Sequence, residues 1–489
     1  MGKELILGLD VGSSSVRGAL FDGSGRMLKR TFVKEERRLA ATREGGAELD
    51  ANTAFQQVVR VIDGVLERAP AGKITHVAAC TFWHSLMGLD AGGKPTTPVF
   101  GWADNRSRGH VAKLRRQLDE AAIHQRTGAH FHSSFWPAKL LWLRAEHKDI
   151  WRRTAHWCSL GDHLQMQFTG EAASDISIAS GTGIFDLRRG IWDAELVDFL
   201  KLRPARLPPI AAGGTAFPLL QKWRKRWPRL ADAQWLPAVA DGVANSVGSG
   251  CIGETRAALM LGTSGAVRVV LDKPPARIPD GLWCYRVDAR RFILGGAISD
   301  GGGLYDRLKQ ILRVDISDAA IGKEMAQRGA DSHGLTFMPF LAGERSTGYD
   351  EFRTGEIRGL TMATDAIDIL QAAMESVAFR LEEILDRIKR VCPVREVIAS
   401  GGAIAASPVW PQMIADVLGR DFEVNSGPEA SLRGAVLLAL EKTGKIEFTD
   451  GLSAIKTRTI SSHPTCHAVY QKARKRHRSV YGSIEKTDK

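Results

Sequence analysis

The chain has 489 residues, 44% of them hydrophobic and 25% charged. At roughly 150 residues per domain this is a protein of two or three ordinary globular domains, which excludes a disordered or fibrous chain. Lys and Arg outnumber Asp and Glu by 67 to 55, a net charge of +12, so an anionic partner is expected, though charge alone does not choose among nucleic acid, acidic membrane and small anions.

No run approaches the ~18 apolar residues of a membrane span. Met1, Gly2 and Lys3 lead straight into a strand-like segment, without signal-peptide anatomy, and Ile6 breaks the myristoylation pattern. The six cysteines (80, 158, 251, 284, 392 and 466) form no C-x-x-C pair. A disulfide scaffold and a thiolate zinc site are thereby excluded, and a cytoplasmic location is expected.

Leu5 to Asp10 is a short apolar run ending in a carboxylate. Gly12, Ser13, Ser14 and Ser15 make a turn, Val16 to Phe21 returns, and Asp22 to Gly25 turns again. Asp50 predicts a helix start, with apolar residues at helical spacing from Phe55 to Leu66. Ile74 to Phe82 reads as a further strand. The run Gln221 to Trp227 predicts a solvated basic helix face with its tryptophans turned inward. Leu236 to Asp241 reads as a strand ending at an aspartate, followed by a small-residue helix from Gly242.

The second half repeats the theme. Ala257 to Leu261, the turn Gly262 to Gly265, and Ala266 to Leu271 mirror the opening hairpin. Arg291 to Leu294 is strand-like, a long helix is expected from about Ala366 to Val391, and Val397 to Ala399 runs into Gly401 and Gly402. The basic run Lys472 to Arg478 reads as a solubilising tail. Two small, hydroxyl-rich turns, each between apolar runs, indicate a distant internal duplication. Two related α/β domains follow, 1–249 and 250–489, with a cleft between them.

Several motifs are decoys. The P-loop pattern is absent. Gly248, Gly250 and Gly253 spell G-x-G-x-x-G, but a strand follows where a dinucleotide site needs a helix. Gly262 to Gly265 misses a nucleophile elbow by one position, and a strand rather than a helix follows it. The thirteen histidines contain no metal-spacing helix pair.

A phosphate site remains. Turns of glycine and serine present backbone N–H groups and hydroxyls with little bulk, a concave donor set for phosphate oxygens. One such turn per domain would grip a polyphosphate from both sides of a cleft. Asp10, just before the first turn, is placed to hold Mg²⁺ directly or through water. Asp241 is either a helix cap or a base that takes the proton of an acceptor hydroxyl during phosphoryl transfer.

With these residues the chain resembles the FGGY family of carbohydrate kinases, in order over nearly its whole length. Gly8 to Arg17 looks like the family's first phosphate motif, with Ser13 where threonine is usual. Trp102, Asp104 and Arg106 resemble its W-x-D-x-R segment. Pro137, Lys139, Leu140 and Trp142 are similar to P-x-K-L-x-W. Asp162, Thr169 to Glu171 and Ser174 to Ser177 resemble the following run. Asp241 and Gly242 fall at the catalytic aspartate, Gly262 and Thr263 at the second phosphate motif, and Ser400 to Ala403 with Ser407, Trp410, Gln412 and Asp416 at the adenosine segment. Family members often carry tryptophan after the glycines near 301–303; this chain has Leu304, Tyr305 and Asp306.

The resemblance implies two actin-like (ribonuclease-H-like) domains closing over ATP, which with Mg²⁺ is the implied cofactor set. Asp241 would be the base and Asp10 would organise Mg²⁺. Ser13, Ser14, Arg17, Gly262 and Thr263, with Gly12, would hold phosphates. Gly302, Gly401, Gly402 and Ser407 would meet the rest of the nucleotide. His84, Ser85, Trp102, Asp104, Arg106 and Gly242 would join Asp241 around the substrate. The implied partner is a small sugar or sugar acid, without nucleic acid or membrane, and a homodimer is left open.

Trp83 to Gly88, Gly262 to Arg268 and Phe340 to Ser346 resemble the gluconokinase branch. A carboxylate on the sugar needs donors, which His84, Ser85 and Arg106 would supply. The alternatives are that Arg106 pairs with Asp104 and that the substrate is a neutral ketose or polyol. An actin-like ATPase without a sugar substrate and a nucleic-acid binder are the competing classes. Sugar-independent ATP turnover would mark the first, and steeply salt-dependent oligonucleotide binding the second.

Overall fold

Strand β1 (Glu4–Val11) is apolar at almost every position and buried from Leu5 to Val11, as expected of a strand covered on both faces. It pairs antiparallel with β2 (Ser15–Asp22), which pairs antiparallel with β3 (Val33–Glu36). Helix α1 (Ala51–Glu67) follows, and the predicted cap is present: Asp50 accepts the Thr53 N–H at 2.7 Å. α1 buries Phe55, Val58, Val59, Ile62 and Val65, the stripe that its 3.6-residue period dictates. Strand β4 (Lys73–Thr81) then lies parallel to β1 on the side away from β2. The short strands β5 (Gln234–Trp235) and β6 (Val239–Ala240) run parallel along the far side of β4, and α2 (Asp241–Gly248) leaves β6 directly.

The second sheet repeats this order. β7 (Arg256–Leu261) and β8 (Gly265–Leu271) form the hairpin. β9 (Trp283–Arg286) and β10 (Phe292–Ile298) extend it antiparallel on the β8 side. After α3 (Gly302–Ile311) and the long helix α4 (Ala366–Lys389), strand β11 (Glu396–Ser400) lies parallel to β7. Helix α5 (Gly402–Ala406), strand β12 (Phe422–Asn425), helix α6 (Ala430–Lys442) and strand β13 (Thr457–Ile460) complete this part, and α7 (Pro464–Thr487) ends the described chain. Each sheet has seven strands. In both, an antiparallel hairpin has an antiparallel neighbour on one side and a parallel one on the other, so the duplication read from the turns extends to the topology.

The two halves meet through helices. A Cβ on Gly434 of α6 would drive into the Ala244 carbonyl of α2, and one on Gly248 into the Ala430 carbonyl, so these helices cross backbone against backbone. On its other side α6 lies on the first sheet, where Val436 and Leu432 fill the space left by Gly8.

This computed structural model describes residues 4–425, 427, 429–447 and 455–487; Met1, Gly2 and Lys3 lie outside the described residues. Among the described residues no helix is long and apolar enough to cross a membrane. Trp223 and Trp227 turn inward as expected and donate their indole N–H groups to the Gln167 carbonyl and to Asp63, each at 2.7 Å.

The solubilising tail is a correction. Residues Lys472 to Arg478 lie in α7, where Tyr470, Ala473, Arg474 and His477 are buried and Arg474 donates to Glu382 of α4 at 2.6 Å. Spacings of three and four put these residues on one face, which the intervening charges conceal in a composition reading.

Candidate active site

Both hairpin turns open where parallel strands end, the position at which side chains and N–H groups leave a sheet. In the first sheet Asp10 on β1 and Val239 on β6 pair with Cys80 of β4 from opposite sides. Asp241 follows two residues after Val239, in the first turn of α2. In the second sheet Met260 on β7 pairs with Ser400 on β11, which places Leu261 beside Gly401, with Gly262 following directly.

The turns are tied back from behind. Gly12 donates to the Ser15 carbonyl at 2.9 Å, while Arg37 donates its Nε to the Gly12 carbonyl at 2.8 Å and its backbone N–H to the Ser14 carbonyl at 3.0 Å. In the second turn Gly262 donates to the Ser264 carbonyl at 2.9 Å. Gly302 donates to the Gly262 carbonyl at 2.7 Å, and Gly301 and Gly303 donate to the Thr263 carbonyl at 3.1 and 3.0 Å. A Cβ on Gly302 would stand 2.8 Å from the Gly262 oxygen, which accounts for glycine there. Gly401 holds φ at +110°, and a Cβ would strike the Leu261 carbonyl, so neither the backbone nor the space admits another residue.

One cavity of about 1560 Å³ collects Asp10, Gly12, Ser13, Ser14, Arg17, Trp102, Asp241, Gly262 and Thr263 on its walls. A second, of about 330 Å³, shares Ser14, Arg17, Gly262 and Thr263 with it and adds Gly302, Gly402 and Ser407. Its apolar wall is Ile321, Met325, Met374 and Trp410, suited to a flat heteroaromatic ring. Asp306, in the stretch where family members often carry tryptophan, lines both cavities.

The carboxylates are electrostatically coupled. Burial lifts Asp10 to about 6, Arg17 at 3.5 Å opposes this, and the nearby charge of Asp241 adds to it. Burial likewise raises Asp241, against the attraction of Arg268 and the backbone N–H groups of Gly242 and Trp83. The Gly242 N–H lies 2.7 Å from the Asp241 Oδ1. Gly242 must lack a side chain because the Trp83 ring packs on its Cα.

The remaining substrate-side residues are not on the cavity wall. His84 is 7% exposed and sits at φ +66°, a left-handed conformation uncommon for a residue with a side chain. Its Nδ1 donates to the Gly181 carbonyl at 2.6 Å, which leaves Nε2 as an acceptor facing the Arg345 Nη2 at 3.3 Å. Burial and the Arg345 charge hold His84 far below the usual imidazole range, so it is neutral. The Ser85 hydroxyl accepts the Leu160 N–H at 3.1 Å. Asp104 accepts the Ala47 N–H at 3.1 Å and the Arg106 Nε at 3.2 Å. Arg106 also pairs with Glu48, its guanidinium over the Phe100 and Trp142 rings at 5.3 Å. Of the two readings of Arg106, the pairing with Asp104 is the one present.

Residues not singled out from sequence also stand here. Arg37 and Arg38 line the large cavity, and Arg37 braces the first turn. Lys139, which the sequence offered only within the P-x-K-L-x-W match, is 1% exposed and donates to the Ser133 and Ser134 carbonyls at 2.7 Å each. Arg268 and Arg345, 6% and 7% exposed, act electrostatically on Asp241. Both belong to segments quoted above only for their wording; an arginine inside an otherwise apolar strand was the signal available at Arg268.

Over residues 5–224 the chain matches the N-terminal domain of the FGGY family of carbohydrate kinases, and over 257–441 the C-terminal domain. It is 28% identical to the gluconokinase of Bacillus subtilis (strain 168) over 467 residues, covering 92% of this chain and 89% of that one. The crystal structure of gluconate kinase from Lactobacillus acidophilus superposes with a TM-score of 0.89 at 26% identity, covering 99% of this chain and 98% of the other. A ligand-bound xylulose kinase from Lactobacillus acidophilus gives the same TM-score, identity and coverage. The fold is the expected actin-like two-domain arrangement, and the chain belongs to the FGGY family of carbohydrate kinases.

Proposed function

We propose that this protein transfers the γ-phosphoryl group of ATP to a hydroxyl of gluconate or a closely related sugar acid. The observation that carries the reading is the cavity of about 1560 Å³ onto which both glycine-and-hydroxyl turns, Asp10 and Asp241 open. In this reading residues 1–249 and 250–489 are the domains that close on the nucleotide. Ser13, Ser14, Arg17, Gly262 and Thr263 hold phosphates. Gly302, Gly401, Gly402 and Ser407 shape the adenosine side.

Asp10 fits a magnesium ion. It is a buried oxygen donor that meets Arg17 at 3.5 Å and the Cys80 thiol at 3.4 Å, both long contacts, so it keeps capacity toward the cavity. A hard cation with phosphate and water ligands suits one such carboxylate. When bound, the ion neutralises charge on the phosphate chain. Asp241 accepts the proton of the attacking hydroxyl. An aspartate suffices because the proton leaves late, as the acceptor oxygen bonds to phosphorus. The protein otherwise positions the reactants and excludes water.

The test is ADP release coupled to a panel of acceptors. The expected result is a kcat/KM for gluconate at least tenfold above that for xylulose, ribulose or glycerol. A neutral ketose giving the highest value would overturn the sugar-acid assignment and leave the kinase reading in place. ATP turnover independent of every acceptor would overturn the kinase reading itself.

A further inference from the structure

Alternation along β8 turns Val267, Val269 and Leu271 into the core of the second half. Ala266, Arg268 and Val270 share the opposite face, and Val270 packs with Trp83, Val239, Ala240 and Val243 of the first half. Arg268 is therefore an arginine held between the halves, 6% exposed, on the face that meets the strand leading into Asp241. Among the described residues its Nε and Nη1 have no hydrogen-bond partner. Arg345 reaches the same space from the segment between α3 and α4. It is 7% exposed, its Nε is likewise without a partner, and its guanidinium lies over the Trp102 ring at 5.5 Å. Trp102 and Asp241 both line the large cavity, and Arg268 and Arg345 stand behind them rather than on its wall.

The charges do not balance. Arg268 and Arg345 repel each other, and Asp241 is the carboxylate whose charge reaches both. Two buried guanidinium groups against one carboxylate leave a positive charge over. The imidazoles beside them add none, since burial and Arg345 together keep His84 and His132 neutral. Buried N–H groups without acceptors and an unmatched buried cation are each costly. Both costs are relieved if an anion with two oxygens enters, and a guanidinium binds a carboxylate through both.

We infer that Arg268 and Arg345 are the residues that recognise the carboxylate of a sugar-acid substrate, holding it beside Asp241. This rests on the kinase reading above and replaces His84, Ser85 and Arg106 in the role that the sequence assigned to them. A polyol or ketose has no group for this pair, so the pair is a specificity determinant.

The probes are gluconate and gluconamide, which differ only in whether the carboxylate is present. Calorimetric binding to the full chain reads affinity without requiring turnover, and coupled ADP release reads kcat/KM. The unaltered protein is expected to prefer gluconate by about 100-fold. Arg268→Gln and Arg345→Gln are each expected to weaken gluconate binding about 30-fold or more, with a far smaller loss on gluconamide. Arg268→Lys and Arg345→Lys, which keep the charge but not the fork, are expected to fall between. Equal losses on both probes, or undiminished gluconate binding, overturn the inference. So does an unaltered protein that binds the two probes alike, an outcome that holds even if a glutamine variant fails to fold. Phosphorylation of a neutral acceptor together with no gluconate binding would overturn the inference alone. Absence of turnover with any acceptor, despite arginine-dependent gluconate binding, would overturn the kinase reading alone.

Discussion

Asp241→Asn is expected to lower turnover by about 10²- to 10⁴-fold, the range that loss of a positioned proton acceptor produces. Asparagine matches aspartate in shape and still offers an oxygen to the Gly242 N–H, which lies 2.7 Å from Oδ1. The fold should therefore survive, with a melting temperature close to the original. The pH dependence follows from the site. Reaction requires the ionised carboxylate, and burial lifts Asp241 above its ordinary value. kcat/KM should accordingly fall as pH drops through that raised value, at higher pH than for an exposed aspartate near ~4. The positive charge of Arg268 is the first influence that opposes the lift, so Arg268→Gln should move the acid limb further up. Near-normal turnover by the asparagine variant, in a coupled assay at saturating substrates, would remove Asp241 from the role of base.

Gly434→Val is expected to be the most damaging single change to stability. The valine side chain has nowhere to go, because the Ala244 carbonyl and the Gly248 amide of α2 occupy that space. Backbone cannot step aside as a flexible side chain can. Separating the helices would cost on the order of 3 kcal/mol or more, a fall of several degrees in melting temperature. The same helices join Asp241, at the start of α2, to the first sheet on which α6 lies, so activity should fall together with stability. Gly434→Ala should show a smaller effect of the same sign. An unchanged calorimetric melt for the valine variant would contradict the close crossing.

What the sequence made legible was local. The Asp50 cap, the stripe of α1, the long helix α4 and the two hairpins each depend on residues near one another, and each is present. The aspartate after Leu236 to Ala240 was found although β6 spans only Val239–Ala240, because the abrupt change from apolar residues to a carboxylate marks a strand end. Pairings across long separations were not legible. Arg106 meets Glu48 as well as Asp104, and His84 meets Arg345, 261 positions away. Residues that the sequence offers as free donors are thus held by partners it does not reveal. Arg268 and Arg345 were passed over for the converse reason: an arginine is expected to be solvated or in an ion pair, and among the described residues these two are buried without a salt bridge. Charge density misled at Lys472 to Arg478, where Arg474 and Arg476 meet acidic partners at Glu382, Asp386 and Asp331.

A crystal structure with gluconate and a non-hydrolysable ATP analogue tests the central claim most directly. The account predicts the terminal phosphate between Gly12–Ser14 and Gly262–Thr263, with one gluconate hydroxyl within about 2.6–3.2 Å of an Asp241 oxygen. A sugar acid seated elsewhere, or a triphosphate that reaches only one of the two turns while Asp241 faces water, would contradict it.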